Sequence, residues 1–363
     1  MASKRYLAPW RRPAFTQANS ASIEQTESLH ALGEKPAIYH CVSRAVWQEA
    51  AFGPAEKEHF VEFLRKWEAF SCVKVLTYCM MSNHFHILVE VPERPANAPS
   101  DGDLLAHLRT IYGEARLSEI ERSIAECRAR GNEAAAEAIR GRFLRRMYDL
   151  SSFMKDFKQD CSVWWNHRHG KVGHLWERRF KSVLVEDGHS AKLVAAYIDL
   201  NPVRAGLVAG PELYRWCGWA QAVAGCGIAR KGIHAVVFEQ ELGRSCPVVA
   251  LADTESWAKV CAAYRATLDS AAKKEPHQKE TRGVPDESRG AQGRSVLKEG
   301  DLLGLGVRCF VDGLVLGSEM FVERVFTATR DWFGRKRISG SRRLAQAETC
   351  LRTIRALKVR PYG

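Results

Sequence analysis

Residues 74–91 hold two short apolar runs, KVLTYCMM and HFHILVEV, on either side of Ser82 and Asn83. A turn this short makes the flanking strands antiparallel neighbours. Upstream, AIYHCVSRAV alternates as a strand does. Between strand and hairpin, GPAEKEHFVEFLRKWEAF starts with Pro54 and repeats Phe60, Phe63, Leu64 and Trp67 at helical spacing, which predicts an amphipathic helix. The order strand, helix, strand, strand within residues 37–91 predicts an α+β fold built on an antiparallel sheet.

Composition narrows the class. With 363 residues, 46% hydrophobic and 26% charged, the chain has room for a sizeable core and reads as globular. No apolar run approaches the ~20 residues of a membrane helix, so no membrane partner is expected. MASKRYLAPWRRPAFTQ lacks the apolar centre of a secretory signal and reads as a basic arm over residues 1–35. Eleven scattered cysteines, an odd number without a CxxC pair, speak against a zinc ribbon or a disulfide framework and for reduced thiols in a cytoplasm. A net charge of +12 and a pI near 9.2 favour a polyanionic partner.

Past the hairpin the pattern changes. EARLSEIERSIAECRARGNEAAAEAIRGRFLRRMYDL predicts two charged helices broken near Gly131, a helical insertion over about residues 95–147. LSSFMKDFKQDCSVWWNHRHG predicts another helix, FKSVLVE a strand, SAKLVAAYIDL a helix, and NPVRAGL a turn opened by Asn201 and Pro202. These segments define a compact region at 36–225, with a helical extension at 226–268 and an aperiodic Lys/Glu/Gly-rich linker at 269–295. A small basic helical segment is expected over 296–363.

Residues i and i+2 of a strand share a face, so His84 and His86 stand side by side while Phe85 points away. Two neutral imidazoles at that spacing suit one divalent ion. Two hydrogen-bonded histidines on a sheet surface satisfy the same pattern.

The blocks YHCVSRAV, LTYCMMSNHFHILVEV, GHLWERRFKSVLVE and AAYIDLNPVRAGLV, in this order across about residues 37–220, resemble those of the IS200-like transposases, in the branch associated with repetitive extragenic palindromes. The resemblance implies a ferredoxin-like antiparallel sheet of the HUH endonuclease type. It implies that His84 and His86 bind Mg²⁺ or Mn²⁺, and that single-stranded or hairpin DNA is cut by a tyrosine that becomes joined to the 5′ end. It allows both monomers and a homodimer.

In the same resemblance the nucleophile lies about five residues before an Asn closing the helix ahead of the GHLWERRF block. Counting back from Asn166 gives Cys161, and Trp165 occupies the place of a third metal ligand, with Gln159, Asp160 and Asn166 as neighbours that could replace it. Between Asp149 and Asp199 the sequence has one tyrosine, Tyr197. Tyr148, at the start of the helix, is a remote candidate roughly 20 Å from Cys161 along the axis. Four readings stay open: Tyr148, Cys161, a nucleophile elsewhere than the counted position, or loss of cleavage with DNA binding kept. A regulator that binds DNA or RNA without cutting, and a phosphohydrolase using water at the histidine pair, are the rivals from other classes.

For DNA contact the candidates are Arg168, Lys171, Arg178, Arg179 and Lys181, interleaved with Trp164, Trp165 and Trp176, and then Asn201 and Arg204. Cations that track phosphates beside rings that stack on bases suit single strands. Packed tryptophans beneath a solvated charged face, and Asn201 as a plain helix stop, would leave the same pattern.

Overall fold

A computed structural model describes residues 36–46, 51–241, 254–272, 297–298, 303, 309–344 and 347–354. The basic arm and nearly all of the linker lie outside these residues. Strand β1 (Ala37–Arg44), helix α1 (Pro54–Ser71), β2 (Lys74–Met80) and β3 (His84–Val91) follow the order read from the sequence. Pro54 supplies a preset φ at the first helical position of α1, and the Glu56 carboxylate reaches back to accept the Gly53 N–H at 2.9 Å. Strand β3 pairs antiparallel with both β2 and β1, and β1 pairs antiparallel with β4 (Lys181–Val185). Four strands thus lie in the order β2–β3–β1–β4.

Between β3 and β4 come α2 (Asp101–Leu108), α3 (Glu114–Ala129), α4 (Glu133–Leu144) and α5 (Leu150–His169). The first three form the insertion. The break between α3 and α4 falls at Gly131, whose φ of 70° suits a residue without Cβ. Leu117, Ile120, Ile124, Ala136 and Phe143 make its apolar seam.

Alternation divides the sheet into two faces. Tyr39, Cys41, Phe85, Ile87 and Val89 share a core with residues of α1 and α5. Ile38, Leu88, Val183 and Val185 face the other way, under α6 (His189–Asp199), α7 (Asn201–Arg204), α8 (Gly218–Val223), α9 (Gly227–Glu241) and α10 (Thr254–Ala272). Strand β2 bulges at Leu76, which its register with β3 skips. Helix α9 crosses at that bulge so closely that a Cβ on Gly232 would collide with the Leu76 carbonyl oxygen. Gly232→Ala should therefore cost about 2–3 kcal/mol, the scale of overpacking against backbone. Gly227→Ala, with nothing within 4 Å, is the matched control. Urea midpoints read both, and equal midpoints would remove the constraint.

The described C-terminal residues join the central sheet, where a small helical segment was expected. After α11 (Cys309–Asp312), β5 (Val315–Gly317) joins the sheet parallel to β4, with Leu184 opposite Val315. After α12 (Glu319–Ala328), β6 (Arg342–Arg343) and β7 (Arg352–Thr353) complete a seven-stranded mixed sheet in the order β2–β3–β1–β4–β5–β7–β6. Strands of two or three residues are too short to show alternation, and the basic composition around them hides their apolar members. Among the described residues no helix is long and apolar enough to cross a membrane.

Candidate functional site

Both histidines lie on the α6 face of the sheet, and a third joins them. His40 of β1 is fully buried, and its ring stacks on that of His86 with centroids 5.2 Å apart. The His84 ring meets His86 edge-on at 5.1 Å. Partners set the tautomers here. The Phe310 carbonyl oxygen lies 2.5 Å from His40 Nδ1 and can only accept, so Nδ1 carries the proton. In a neutral ring, His40 Nε2 is then an acceptor, and it takes the Nδ1–H of His86 at 3.0 Å. His84 Nδ1 donates to Asn83 Oδ1 at 2.8 Å. Each member of the pair is left with an unprotonated Nε2, the form in which imidazole binds a metal.

Electrostatics keep the rings neutral. Burial, chiefly, pulls His40 and His84 down to about 4, with nearby arginines adding to it. Burial and the two neighbouring imidazoles hold His86 well below the ordinary range. A charge-neutral nitrogen pair at pH 7 needs no proton removed before it binds a cation.

Helix α6 brings a tyrosine to this cluster. The Tyr197 ring lies edge-on to His86 at 5.9 Å and to His40 at 6.1 Å, and Tyr197 is 3% exposed. Positions 197, 201 and 204 follow the i, i+4, i+7 pattern of one helical face. The Arg204 guanidinium lies 4.1 Å from the Tyr197 ring centroid and donates from Nη1 to the Leu303 carbonyl at 2.9 Å. Its Nη2 is buried without a hydrogen-bond partner among the described residues. Asn201 spends its amide nitrogen on the carbonyls of Tyr197 and Ile198, at 3.1 and 3.3 Å, which leaves Oδ1 for another partner. Arg44 stands opposite His84 and Lys181 opposite Val42, itself opposite His86, so both cations project from the histidine face and are exposed.

The structure does not bring Cys161 to the histidines. Cys161 is fully buried in the core on the other face, one turn beyond Phe157, whose ring packs on Phe85 at 5.3 Å. Burial pushes its thiol well above the ordinary range, so it holds no thiolate. Trp165 lies in the same core and donates from Nε1 to the Ala51 carbonyl. Tyr148 is also on that face, at the far end of the sheet: its N–H donates to the Ser71 carbonyl at 2.7 Å, beside the strand end where Lys74 pairs with Glu90. Six residue steps along β3 separate Glu90 from His84, about 20 Å. Burial and a neighbouring Cys72 push the Tyr148 hydroxyl up to about 12.

The remaining cations are spread. Arg168 pairs with Glu56 at 3.1 Å and covers the Trp164 ring, on the α1–α5 side. Lys171, Arg178 and Arg179 are exposed on the segment between α5 and β4. That segment is tied to the mouth of the histidine face, because the Glu177 N–H donates to the Arg44 carbonyl at 3.0 Å. Trp176 is buried against Phe52 and Phe85, so it is core and no base platform.

His40, Arg44 and Tyr197 are members of this cluster that the sequence reading missed. Period-2 spacing from Ile38 puts His40 on the face opposite Tyr39, but its meeting with His86 depends on strand register. For Tyr197 the signal was Asn201, one helical turn later in AAYIDLNPVRAG.

No family model and no curated protein matches the chain. Among solved structures it is similar to a REP-associated tyrosine transposase bound to a REP hairpin, at 12% identity and a TM-score of 0.34, over 52% of this chain and 80% of that one. A likeness this distant assigns no residue a role.

Proposed function

We propose that the protein binds single-stranded or hairpin DNA and breaks and rejoins one phosphodiester at the His84, His86 and Tyr197 site. The observation that carries the reading is a tyrosine packed against His86, one of two adjacent neutral histidines that both leave Nε2 unprotonated. The antiparallel order β4–β1–β3–β2, with α1 and α5 crossing one face, supports a ferredoxin-like core beneath it.

In this reading Tyr197, and not Cys161, is the nucleophile. The phenol oxygen adds to phosphorus, the P–O3′ bond breaks, and the proton lost by the phenol is matched by the one gained by the departing 3′ oxygen. The phosphate stays on Tyr197 with the 5′ end, so the 3′ hydroxyl can reverse the step without an external energy source. Arg204, a permanent cation against the Tyr197 ring with Nη2 unpartnered, offsets charge that gathers on the phenol oxygen and the phosphate. Arg44, Lys181, Arg178 and Arg179 attract the flanking backbone.

Among the described residues no group of three His, Cys, Asp or Glu side chains is arranged to hold a metal ion, so the histidines would be two ligands of a divalent ion, with Asn201 Oδ1 as an oxygen donor. That mixed nitrogen and oxygen set fits Mn²⁺ or Mg²⁺. When bound, the ion would supply charge neutralisation at the phosphate. Because Arg204 repels a bare cation, ion and DNA should bind together more tightly than either alone.

The test uses labelled single-stranded hairpin oligonucleotides from the DNA flanking the gene, with Mn²⁺. His84→Ala and His86→Ala should each lower nicking by at least about 100-fold while hairpin affinity changes by less than about threefold. Unchanged nicking in both variants would sink the ligand assignment. Wild-type binding without any nick or adduct would make the protein a non-cutting DNA binder.

A further inference from the structure

The C-terminal residues touch the site at three points. The Phe310 carbonyl accepts from His40, the Phe310 ring lies 4.6 Å from that of Tyr197, and the Leu303 carbonyl accepts from Arg204. None of these contacts follows from the histidine pair itself, and His40 is separated from Phe310 by 270 residues.

We propose that His40 is a positioning residue through which docking of the segment around Phe310 sets the metal-binding nitrogen of His86. The inference rests on His84 and His86 being ligands. Its logic is one of donors and acceptors. With the Phe310 carbonyl in place, His40 protonates at Nδ1, its Nε2 accepts, and His86 has its proton on the nitrogen facing His40. Without that carbonyl, His40 can carry its proton on Nε2 instead. It then donates to His86 Nδ1, and the proton of His86 moves to Nε2, which closes the lone pair that the ion needs. The C-terminal segment thereby becomes part of the site without contributing a ligand.

Two variants separate positioning from packing. His40→Gln keeps an acceptor oxygen near the place of Nε2, whereas His40→Met keeps the volume and removes the acceptor. The first readout is the pair of imidazole ¹⁵N shifts of His86 in the metal-free protein, where the wild type should show a protonated Nδ1. The second is Mn²⁺ affinity by titration calorimetry. His40→Met should lose the single tautomer and bind Mn²⁺ 10- to 100-fold more weakly, with His40→Gln within about threefold of wild type. Thermal melting shows that each variant is folded. A folded His40→Met protein with wild-type shifts and affinity overturns the proposal. A wild type with the expected tautomer that takes up no Mn²⁺ overturns the ligand reading, and the proposal with it, while leaving the hydrogen-bond chain intact.

Discussion

Tyr197→Phe should abolish the covalent protein–DNA adduct and reduce nicking by roughly a thousandfold or more, the scale of removing a nucleophile from a site whose other members remain. Hairpin binding should persist, because the ring, its contact with Arg204 and the basic surface are all retained. Cys161→Ser and Tyr148→Phe should cut within about threefold of wild type. The asymmetry follows from strand parity: Phe85 points away from His84 and His86, and Cys161 and Tyr148 lie in the core on the Phe85 side. A denaturing gel of labelled hairpins, followed by mass spectrometry of the linked peptide, reads the result. An adduct that survives in Tyr197→Phe, or a linked peptide containing residue 161 or 148, would reverse the assignment.

The second large effect concerns the helix that carries Tyr197. Two residues on, Asp199 is fully buried and accepts hydrogen bonds from Thr77 Oγ1 at 2.8 Å, Tyr264 Oη at 2.6 Å and the Trp219 N–H at 3.3 Å. One carboxyl thus ties α6 to β2, α8 and α10. Burial outweighs the three donors and pushes its pKa up to about 7, from an ordinary value of 3.8. The folded protein therefore holds this proton more tightly than the unfolded chain. The stability that the protonated carboxyl provides is fully present below about pH 4 and is lost as pH rises towards 7. At about 1.4 kcal/mol per unit, the loss is on the order of 4 kcal/mol. Asp199→Asn should lack this slope and gain on the wild type at pH 8, whereas Asp199→Ala, which orphans three buried donors, should cost about 3 kcal/mol or more at pH 5. Urea unfolding between pH 4 and 9 measures all three proteins. Parallel pH curves for wild type and Asp199→Asn would exclude the carboxyl as the cause.

The central sheet was legible because its signals are local. Pro54 and the Phe60–Leu64–Trp67 stripe mark α1, Ser82 and Asn83 mark the hairpin, and period-2 spacing puts both histidines on one side. The proposed nucleophile was not legible by counting, because two helices end alike: Cys161 precedes Asn166 by five residues and Tyr197 precedes Asn201 by four. Only the sheet separates their positions, since α5 covers the Phe85 face and α6 the histidine face. His40 was hidden for a related reason, its role depending on Val42 standing opposite His86 in register. The strands at Val315, Arg342 and Arg352 pair over two or three residues and are stabilised by partners remote in sequence, so no window around them carries their signal.

The separation of 270 positions between His40 and Phe310 also sets a timetable. At ordinary rates of synthesis a ribosome needs roughly a quarter of a minute to a minute to cover that span, and the earlier strands can pair while it does so. During that interval the nascent chain already has its histidine pair, its tyrosine and a basic surface, yet His40 has no carbonyl to hold its proton. Under the proposed function, cutting competence then arrives with α11, so a chain interrupted before residue 310 would grip DNA without being armed against it.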